Sequence, residues 1–338
     1  MSHRLTRGWF IAAAAGSTTL ASIGVIPSPA RAAQFEYKLA HGTTTDFPLH
    51  IRAQEAADAI RKETGGRLNI TIFPNNILGS EIANIGQIRS NTIQFCIIPS
   101  LALGTAVPGL GMDGLGFAFK DAEAVNTAFD GALGQYLTGL IAGQGIHPFP
   151  KMMNLGMREV TSSSHPIRNA ADFAGFKIRT QPGQIAVDMF RTLGASPTPI
   201  VFPELYTAMQ THVVDGQETP YVTIDESKFY EVQKYLSVTN HMATIFWPIA
   251  NMDAWNALPP DIQEIVAKHF DQAAVLERRD TVIQSNAHAD KLRAAGMVFN
   301  TADGDSMRAQ LKPFYQKWKS QFSDSAWALM ERTTGKLV

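Results

Sequence analysis

Hydrophobic and polar positions along the first half of the chain predict strands that alternate with helices. The segments FEYKLAHG, RLNITIFP and IQFCIIP have the alternating or continuous apolar pattern of strands. Between them, PLHIRAQEAADAIRKETGG and EIANIGQIRSN carry apolar residues at helical spacing. This order predicts an α/β sheet. We expect a further helix from 121 to about 141, and then the extended segment HPFPKMMNLG.

The same alternation begins again in the second half, which predicts a second lobe. FKIRT is typical of a strand, QIAVDMFRTLG of a helix, SPTPIV of an extended segment and VVDGQE of a strand end. PELYTAMQTH predicts a helix with proline in its first turn. Two helical stretches, from about Asp305 and from Ser325, are expected to finish the chain.

One helical pattern is much longer than the others. It begins at Pro259 and Pro260, ends at Gly296 and contains no internal proline. About 35 helical residues at 1.5 Å each reach roughly 50 Å, beyond the ~30 Å width of a small domain. Because the apolar spacing keeps no heptad, we expect this helix to lie across both lobes.

The composition is typical of a folded protein, and the net charge argues against nucleic-acid binding. Of 338 residues, 45% are apolar and 17% charged, which suits two domains and argues against disorder. A net charge of −1 argues against nucleic acid as a partner, because that would require a basic surface. The one cysteine, Cys96, excludes an internal disulfide, and its apolar surroundings favour a buried, unreactive thiol.

Residues 1–32 have the pattern of an export signal. Arg4 and Arg7 form a basic start, residues 10–26 are apolar or small, and PARA, ending at Ala32, fits a cleavage site. An uncleaved membrane anchor is the alternative, which the break at Pro27 and Pro29 disfavours. Cleavage removes three arginines and no acid, changing the net charge from −1 to −4. We therefore expect a periplasmic protein.

The motifs of common enzymes are missing from the sequence. GLGMDG, at 109–114, matches a dinucleotide fingerprint but lacks the preceding strand, the helix and the later acid, so we favour a glycine-rich loop. No nucleophile elbow, phosphate loop, cysteine cluster or paired histidines indicate catalysis, a cofactor or a metal. Asp215 and Glu218, in VVDGQETP, could form a catalytic pair or a metal loop, but their spacing beside Gly216 favours a turn.

Two arginines are better candidates for a site. Arg179 ends the FKIR strand and precedes a loop that enters a helix, which is where α/β folds hold ligands. Its planar guanidinium can bind a carboxylate through two parallel hydrogen bonds. A surface salt bridge explains Arg179 equally well, and Arg158, in NLGMREV, leaves the same two alternatives open with a weaker case.

Several longer segments together are similar to those of one known family. They are GMREVTSSSHPIRNAADFAGFKIRTQPG, LGASPTPIVFPELYTAMQTHVVDGQETP, KFYEVQKYLSVTNH, LAHG, TGGRLNITIFPNNILGSE and NALPPDIQEIV. Through them, nearly all of the mature chain resembles the solute-binding proteins of tripartite ATP-independent periplasmic (TRAP) transporters. The resemblance implies two α/β lobes, joined by hinge strands and backed by a long helix. Such a receptor closes on an organic acid and delivers it to a membrane permease. We place one lobe at 33–156 plus 245–284 and the other at 157–244 plus 285–338.

The resemblance also implies roles for particular residues. Arg179 matches the arginine that holds the ligand carboxylate, Arg158 a second pocket arginine, and Phe202 an aromatic that packs on the ligand. Family members commonly have asparagine where this chain has Thr219, whose hydroxyl lacks the second donor of an amide. The remaining candidate pocket residues are Phe246, Trp247, Pro99, Ser100 and His41.

The aromatic candidates favour a monocarboxylate with an apolar or aromatic body, although a dicarboxylate or a sugar acid stays open. Core packing explains Phe246 and Trp247 at least as well. Two other functions compete with transport. One is an exported enzyme that acts on a small carboxylic acid with Asp215, Glu218 or a histidine. The other is a ligand-sensing receptor without a transport role.

Overall fold

A computed structural model describes residues 33–107 and 109–338, so the expected export signal at 1–32 lies outside the described residues. Alternating and apolar segments form the first six-stranded sheet, as the sequence predicts for its first three strands. Its strand order is β2-β1-β3-β11-β4, and β5 also pairs with β11. The strands are β1 (Phe35–His41), β2 (Leu68–Phe73), β3 (Phe95–Pro99), β4 (Ile146–Pro148), β5 (Met153–Met157) and β11 (Ala243–Asn251).

A second six-stranded sheet has the order β12-β10-β6-β9-β7-β8. Strands β7, β8 and β9 run parallel to one another, whereas β6 is antiparallel to β9 and β10. The strands are β6 (Glu159–Ser162), β7 (Lys177–Thr180), β8 (Ser196–Pro199), β9 (Gly216–Thr219), β10 (Tyr235–Val238) and β12 (Val298–Thr301).

Helices cover both sheets. The first five are α1 (Pro48–Glu63), α2 (Glu81–Arg89), α3 (Ser100–Leu103), α4 (Ala122–Asp130) and α5 (Ala132–Ala142). The next four are α6 (Gln184–Thr192), α7 (Leu205–Gln210), α8 (Tyr221–Glu226) and α9 (Met252–Ala257). The last four are α10 (Pro260–Ala294), α11 (Gly304–Gln310), α12 (Lys312–Lys319) and α13 (Asp324–Thr334). None of these helices is long and apolar enough to cross a bilayer.

Strand connections and one long helix join the two sheets. The chain passes from β5 to β6 and from β10 to β11, and the amide N–H of Arg158 donates to the Met242 carbonyl at 2.7 Å where these passages run side by side. Helix α10 has 35 residues. It packs against helix α1 and against strand β5 of the first sheet, and it also packs against helix α8, which follows strand β9 of the second sheet. The result is a two-lobed α/β fold with hinge strands and a spanning helix, as expected.

The lobe boundaries stay a prediction. Helix α12 packs against α6, but α13, which we placed in the second lobe, packs against α4 and α5.

The long helix predicted from 121 to about 141 is two helices, because Gly131 takes an extended conformation between them. GLGMDG is a buried 3-10 helix, Leu110–Gly114, packed on Ile185 of α6. It is therefore part of the core and not an open loop.

Candidate ligand-binding cleft

A cavity of about 30 Å³ lies where the carboxyl ends of strands from both sheets meet. The parallel strands β1 and β3 end there in the first sheet, and β7 and β9 end there in the second. We call it the cleft cavity. Six hydroxyl side chains line it, namely Thr43, Thr44, Thr219, Thr223, Ser227 and Thr244. Its apolar lining is Phe47, Pro99, Leu155, Phe202 and Phe246, and Glu81 and Gln181 complete it together with Gly42.

Four of the nine predicted site residues therefore line the cleft cavity, and five lie behind its wall. Pro99 and Phe246 belong to adjacent strands, where they are paired residues. Phe202 is half-buried and packs against Phe229 with ring centroids 6.1 Å apart. Thr219 ends β9 and is 4% exposed. The five behind the wall are His41, Ser100, Arg158, Arg179 and Trp247.

Arg179 is a buried cation without a carboxylate partner. It is 1% exposed, and its Nε donates to the Ile200 carbonyl at 2.8 Å. Within residues 33–107 and 109–338, this is its one side-chain hydrogen bond, and no acid lies within 4.0 Å of it. Burial lowers the pKa of Arg179 to about 10, and the charges of Glu218 and Glu81 oppose that shift. The guanidinium therefore has two terminal nitrogens available beside Gln181, a residue of the cavity lining.

Arg158 is equally buried, but its charge is already paired. Its Nε and Nη2 contact both carboxylate oxygens of Glu218, the Nη2–Oε1 distance being 2.8 Å. Nη1 donates to the Thr244 hydroxyl at 3.0 Å. His241 Nε2 lies 3.1 Å from Glu218 Oε2. Burial would raise the pKa of Glu218, but Arg158 and His241 lower it to about 2. Arg158 thus reaches the cleft cavity through Thr244, which it positions.

The two acids of VVDGQETP serve different neighbours. Asp215 Oδ2 accepts from the Lys177 amide at 3.2 Å, whereas Glu218 pairs with Arg158 and His241. Strand β9 begins at Gly216, one residue after Asp215, and ends at Thr219, so Glu218 lies within the strand and not in the turn that the spacing favoured. The two carboxylates support the strand whose last residue, Thr219, lines the cleft cavity.

The remaining candidates lie in the core behind the lining. Trp247 is fully buried, and its indole N–H donates to the Ser100 hydroxyl at 3.3 Å. His41 Nε2 lies 3.0 Å from His50 Nδ1, and its Nδ1 accepts from the Thr43 hydroxyl at 3.0 Å. Burial and the neighbouring His50 lower the pKa of His41 to about 3, so the ring is neutral. His41 therefore orients Thr43, which lines the cleft cavity.

Ten of the lining residues were not predicted from the sequence, and Glu81 is the charged one among them. It is 7% exposed, its Oε1 accepts from Asn76 at 3.2 Å, and its Oε2 is buried without a partner in the described part of the chain. An acceptor in this position suits a ligand hydroxyl, because a carboxylate accepts strong hydrogen bonds. Glu81 directly follows the helix cap Ser80, so the sequence around it is typical of a helix start and does not indicate a binding site.

One group of side chains in residues 33–107 and 109–338 has metal-ligating atoms close together. Donor atoms of Asp225, Glu226 and His288 lie within 4.8 Å of one another. His288 Nδ1 is 2.7 Å and Lys291 Nζ 3.4 Å from Asp225 Oδ2. The carboxylate of Asp225 thus already has a hydrogen-bond donor and a cation, and none of these residues lines the cleft cavity.

A cavity between two lobes, near a buried arginine that has no acid partner among the described residues, is typical of solute-binding proteins. Residues 39–321 match the family of bacterial extracellular solute-binding proteins, family 7. The chain belongs to this family, which is also called DctP.

Curated and solved relatives agree with this assignment. The 2,3-diketo-L-gulonate-binding periplasmic protein YiaO of Escherichia coli is 28% identical over 92% of this chain and 96% of its own. A TRAP periplasmic solute-binding protein of Polaromonas, solved with D-erythronate, is 29% identical with a TM-score of 0.85, over 89% of this chain and 98% of that one. The sugar-acid-binding protein DctPAm of Advenella mimigardefordensis, solved with galactonate, is 25% identical with a TM-score of 0.85, over 90% and 98%.

Proposed function

We propose that this protein is a periplasmic TRAP receptor that binds a small hydroxylated carboxylate in the cleft cavity. The observation that carries the proposal is Arg179, a buried guanidinium with no carboxylate partner in the described residues. A buried charge is costly unless it is paired, so a ligand carboxylate would supply the missing partner. The Arg158 charge is satisfied by Glu218 and does not need the ligand.

The lining supports a hydroxylated acid over the apolar body that the sequence favoured. Hydroxyls of six residues, Glu81 and Gln181 offer polar contacts, and five apolar side chains suit the carbon skeleton. The relatives bind acids of this kind, since one was solved with D-erythronate and another with galactonate.

Binding would act through closure of the lobes. Gly42, Glu81 and Pro99 come from the first lobe, whereas Gln181, Phe202 and Thr219 come from the second. A ligand that contacts both sides favours the closed conformation, because those contacts exist together only there. We further propose that the permease of a TRAP transporter receives the solute from this closed form, and that residues 1–32 are removed after export.

Calorimetry with sugar acids tests the proposal. The protein without residues 1–32 should bind at least one of D-erythronate, galactonate and glucuronate, and Arg179→Ala should weaken that binding at least about 30-fold, because the carboxylate loses a buried charged partner. Arg191→Ala is the control, since Arg191 is exposed and pairs with Asp188 on helix α6. Equal affinities of Arg179→Ala and the wild type would refute the role of Arg179.

Two further measurements separate the alternatives. Amino-terminal sequencing of the protein from a periplasmic fraction should give Ala33 as the first residue. The ligand recovered after long incubation should be chemically unchanged, whereas turnover would favour the exported enzyme. Loss of growth on the bound acid when a neighbouring permease gene is deleted would distinguish transport from sensing alone.

A further inference from the structure

A second and larger cavity lies under helix α10, separate from the cleft cavity. Its volume is about 290 Å³, and we call it the α10 cavity. It is bounded by α10, by strand β5 and by the start of α8. Leu155 lines both cavities. Of three residues close together in the chain, Thr219 and Thr223 line the cleft cavity, whereas Tyr221 lines the α10 cavity.

The α10 cavity contains a buried carboxylate that has no cation partner among the described residues. Glu159 is 1% exposed, and its Oε2 accepts from the amides of Thr239 at 2.6 Å and Asn240 at 2.9 Å. Within residues 33–107 and 109–338, no Lys, Arg or His nitrogen lies within 4.0 Å of this carboxylate. Burial raises the pKa of Glu159 to about 8, although hydrogen bonds from the two amides and from the Thr239 side chain oppose this. A buried carboxylate without a cation is costly, so this position suits a positively charged partner.

The other charged groups of the lining already have partners. Arg278 Nη1 is 2.9 Å from Asp130, its Nε donates to the Met152 carbonyl at 2.8 Å, and its unpartnered Nη2 is enclosed by protein. His288 is hydrogen-bonded to Asp225. Among the described residues, Glu159 is therefore the charged group of the lining that has no ion-pair or charged hydrogen-bond partner.

The rest of the lining suits an organic molecule. The amides of Asn126, Asn154, Asn240 and Gln284 can donate or accept hydrogen bonds. Tyr221 also lines the cavity close enough to Glu159 for that charge to raise the pKa of its hydroxyl, and aromatic rings attract ammonium groups. A volume of about 290 Å³ is far larger than a bare metal ion needs. We propose that the α10 cavity is a second binding site, for a small organic molecule whose primary ammonium group pairs with Glu159.

Thermal-shift and calorimetric titrations test this site without any ligand in the cleft. Probes are ethanolamine and 1,4-diaminobutane, with ethylene glycol, 1,4-butanediol, sodium chloride and calcium chloride as comparisons. At least one amine should raise the melting temperature of the wild type, while the diols should not. Glu159→Gln, whose amide oxygen can still accept from Thr239 and Asn240, should bind that amine at least tenfold more weakly.

Two variants make the outcome decisive. Glu277→Gln is the matched control, since Glu277 is a buried acid on helix α10 that does not line the cavity. Its oxygens accept hydrogen bonds from the Asn154 amide and the Thr281 hydroxyl. Glu277→Gln should keep the amine response. In Ser285→Phe, the larger side chain on α10 should fill the cavity while Glu159 remains, so the amine response should be abolished. This variant tests the site even if Glu159→Gln fails to fold. The proposal would be overturned if no amine stabilised the wild type, or if the amine response survived in Glu159→Gln or Ser285→Phe. It would also be overturned if only the salts gave a response that depends on Glu159.

Discussion

Arg158 and Glu218 are 60 residues apart in the chain and form an ion pair that is fully enclosed behind the cleft cavity. The guanidinium contacts both carboxylate oxygens and the Glu218 carbonyl, the latter at 2.6 Å. Glu218 directly precedes Thr219, and Arg158 directly precedes Glu159. One ion pair therefore fixes the ends of two strands that reach both cavities.

Removing one charge of this pair should destabilise the protein strongly. In Glu218→Gln, Arg158 keeps its burial but loses its counter-charge, which typically costs about 3–5 kcal/mol. Urea unfolding measures the free energy. Asp215→Asn is the control, because an amide oxygen can still accept from the Lys177 amide, and it should cost less than about 1 kcal/mol. Similar small losses in both variants would show that the pair does not hold the strands.

Thr219 should contribute to affinity through its hydroxyl. This hydroxyl has no hydrogen-bond partner in the described part of the chain, and the residue lines the cleft cavity. Thr219→Val keeps the shape and removes one donor, so binding of the acid should weaken about fivefold to tenfold. Calorimetry with galactonate measures the change, and the unfolding free energy should stay close to that of the wild type. Unchanged affinity would mean that the ligand does not use this hydroxyl.

Glu81 should decide whether the ligand carries hydroxyl groups. Galactonate and hexanoate share six carbons and one carboxylate but differ in their hydroxyls. Because Glu81 Oε2 is buried without a partner, a ligand hydroxyl that donates to it should be favoured. We expect galactonate to bind at least about tenfold more tightly than hexanoate, and Glu81→Gln to reduce that ratio. Tighter binding of hexanoate by the wild type would instead support the apolar body that the sequence favoured.

Local patterns predicted much of the fold and little of how its charges are paired. The strand FEYKLAHG and the long helix ending at Ala294 follow from periodicity, and both are confirmed. The break at Gly131 was missed because a single glycine in a helical pattern is often tolerated. Arg158 and Arg179 look alike in sequence. Only folding brings Glu218 to one of them and leaves the other without an acid.

Stability should also depend on pH through the acid of the α10 cavity. Burial raises the pKa of Glu159 to about 8 and those of Glu277 and Asp113 to about 7. The folded protein therefore holds protons that the unfolded chain has released, so these contributions are present at low pH and lost as pH rises through the folded pKa values. The pKa values of His41 and His147 are lowered to about 3 and about 4. Their effect on the free energy of unfolding therefore falls mainly below pH ~6.5, the pKa of an unfolded histidine.

The window from pH 6.5 to 8.0 consequently isolates the buried acids. The free energy of unfolding should fall by about 2–4 kcal/mol across it, and roughly half of that fall should come from Glu159. Urea unfolding at pH 6.5, 7.25 and 8.0 measures the slope. Glu159→Gln should flatten it by about half, and Glu277→Gln by about a quarter. A slope that is zero in the wild type, or unaltered in Glu159→Gln, would contradict the raised pKa of Glu159.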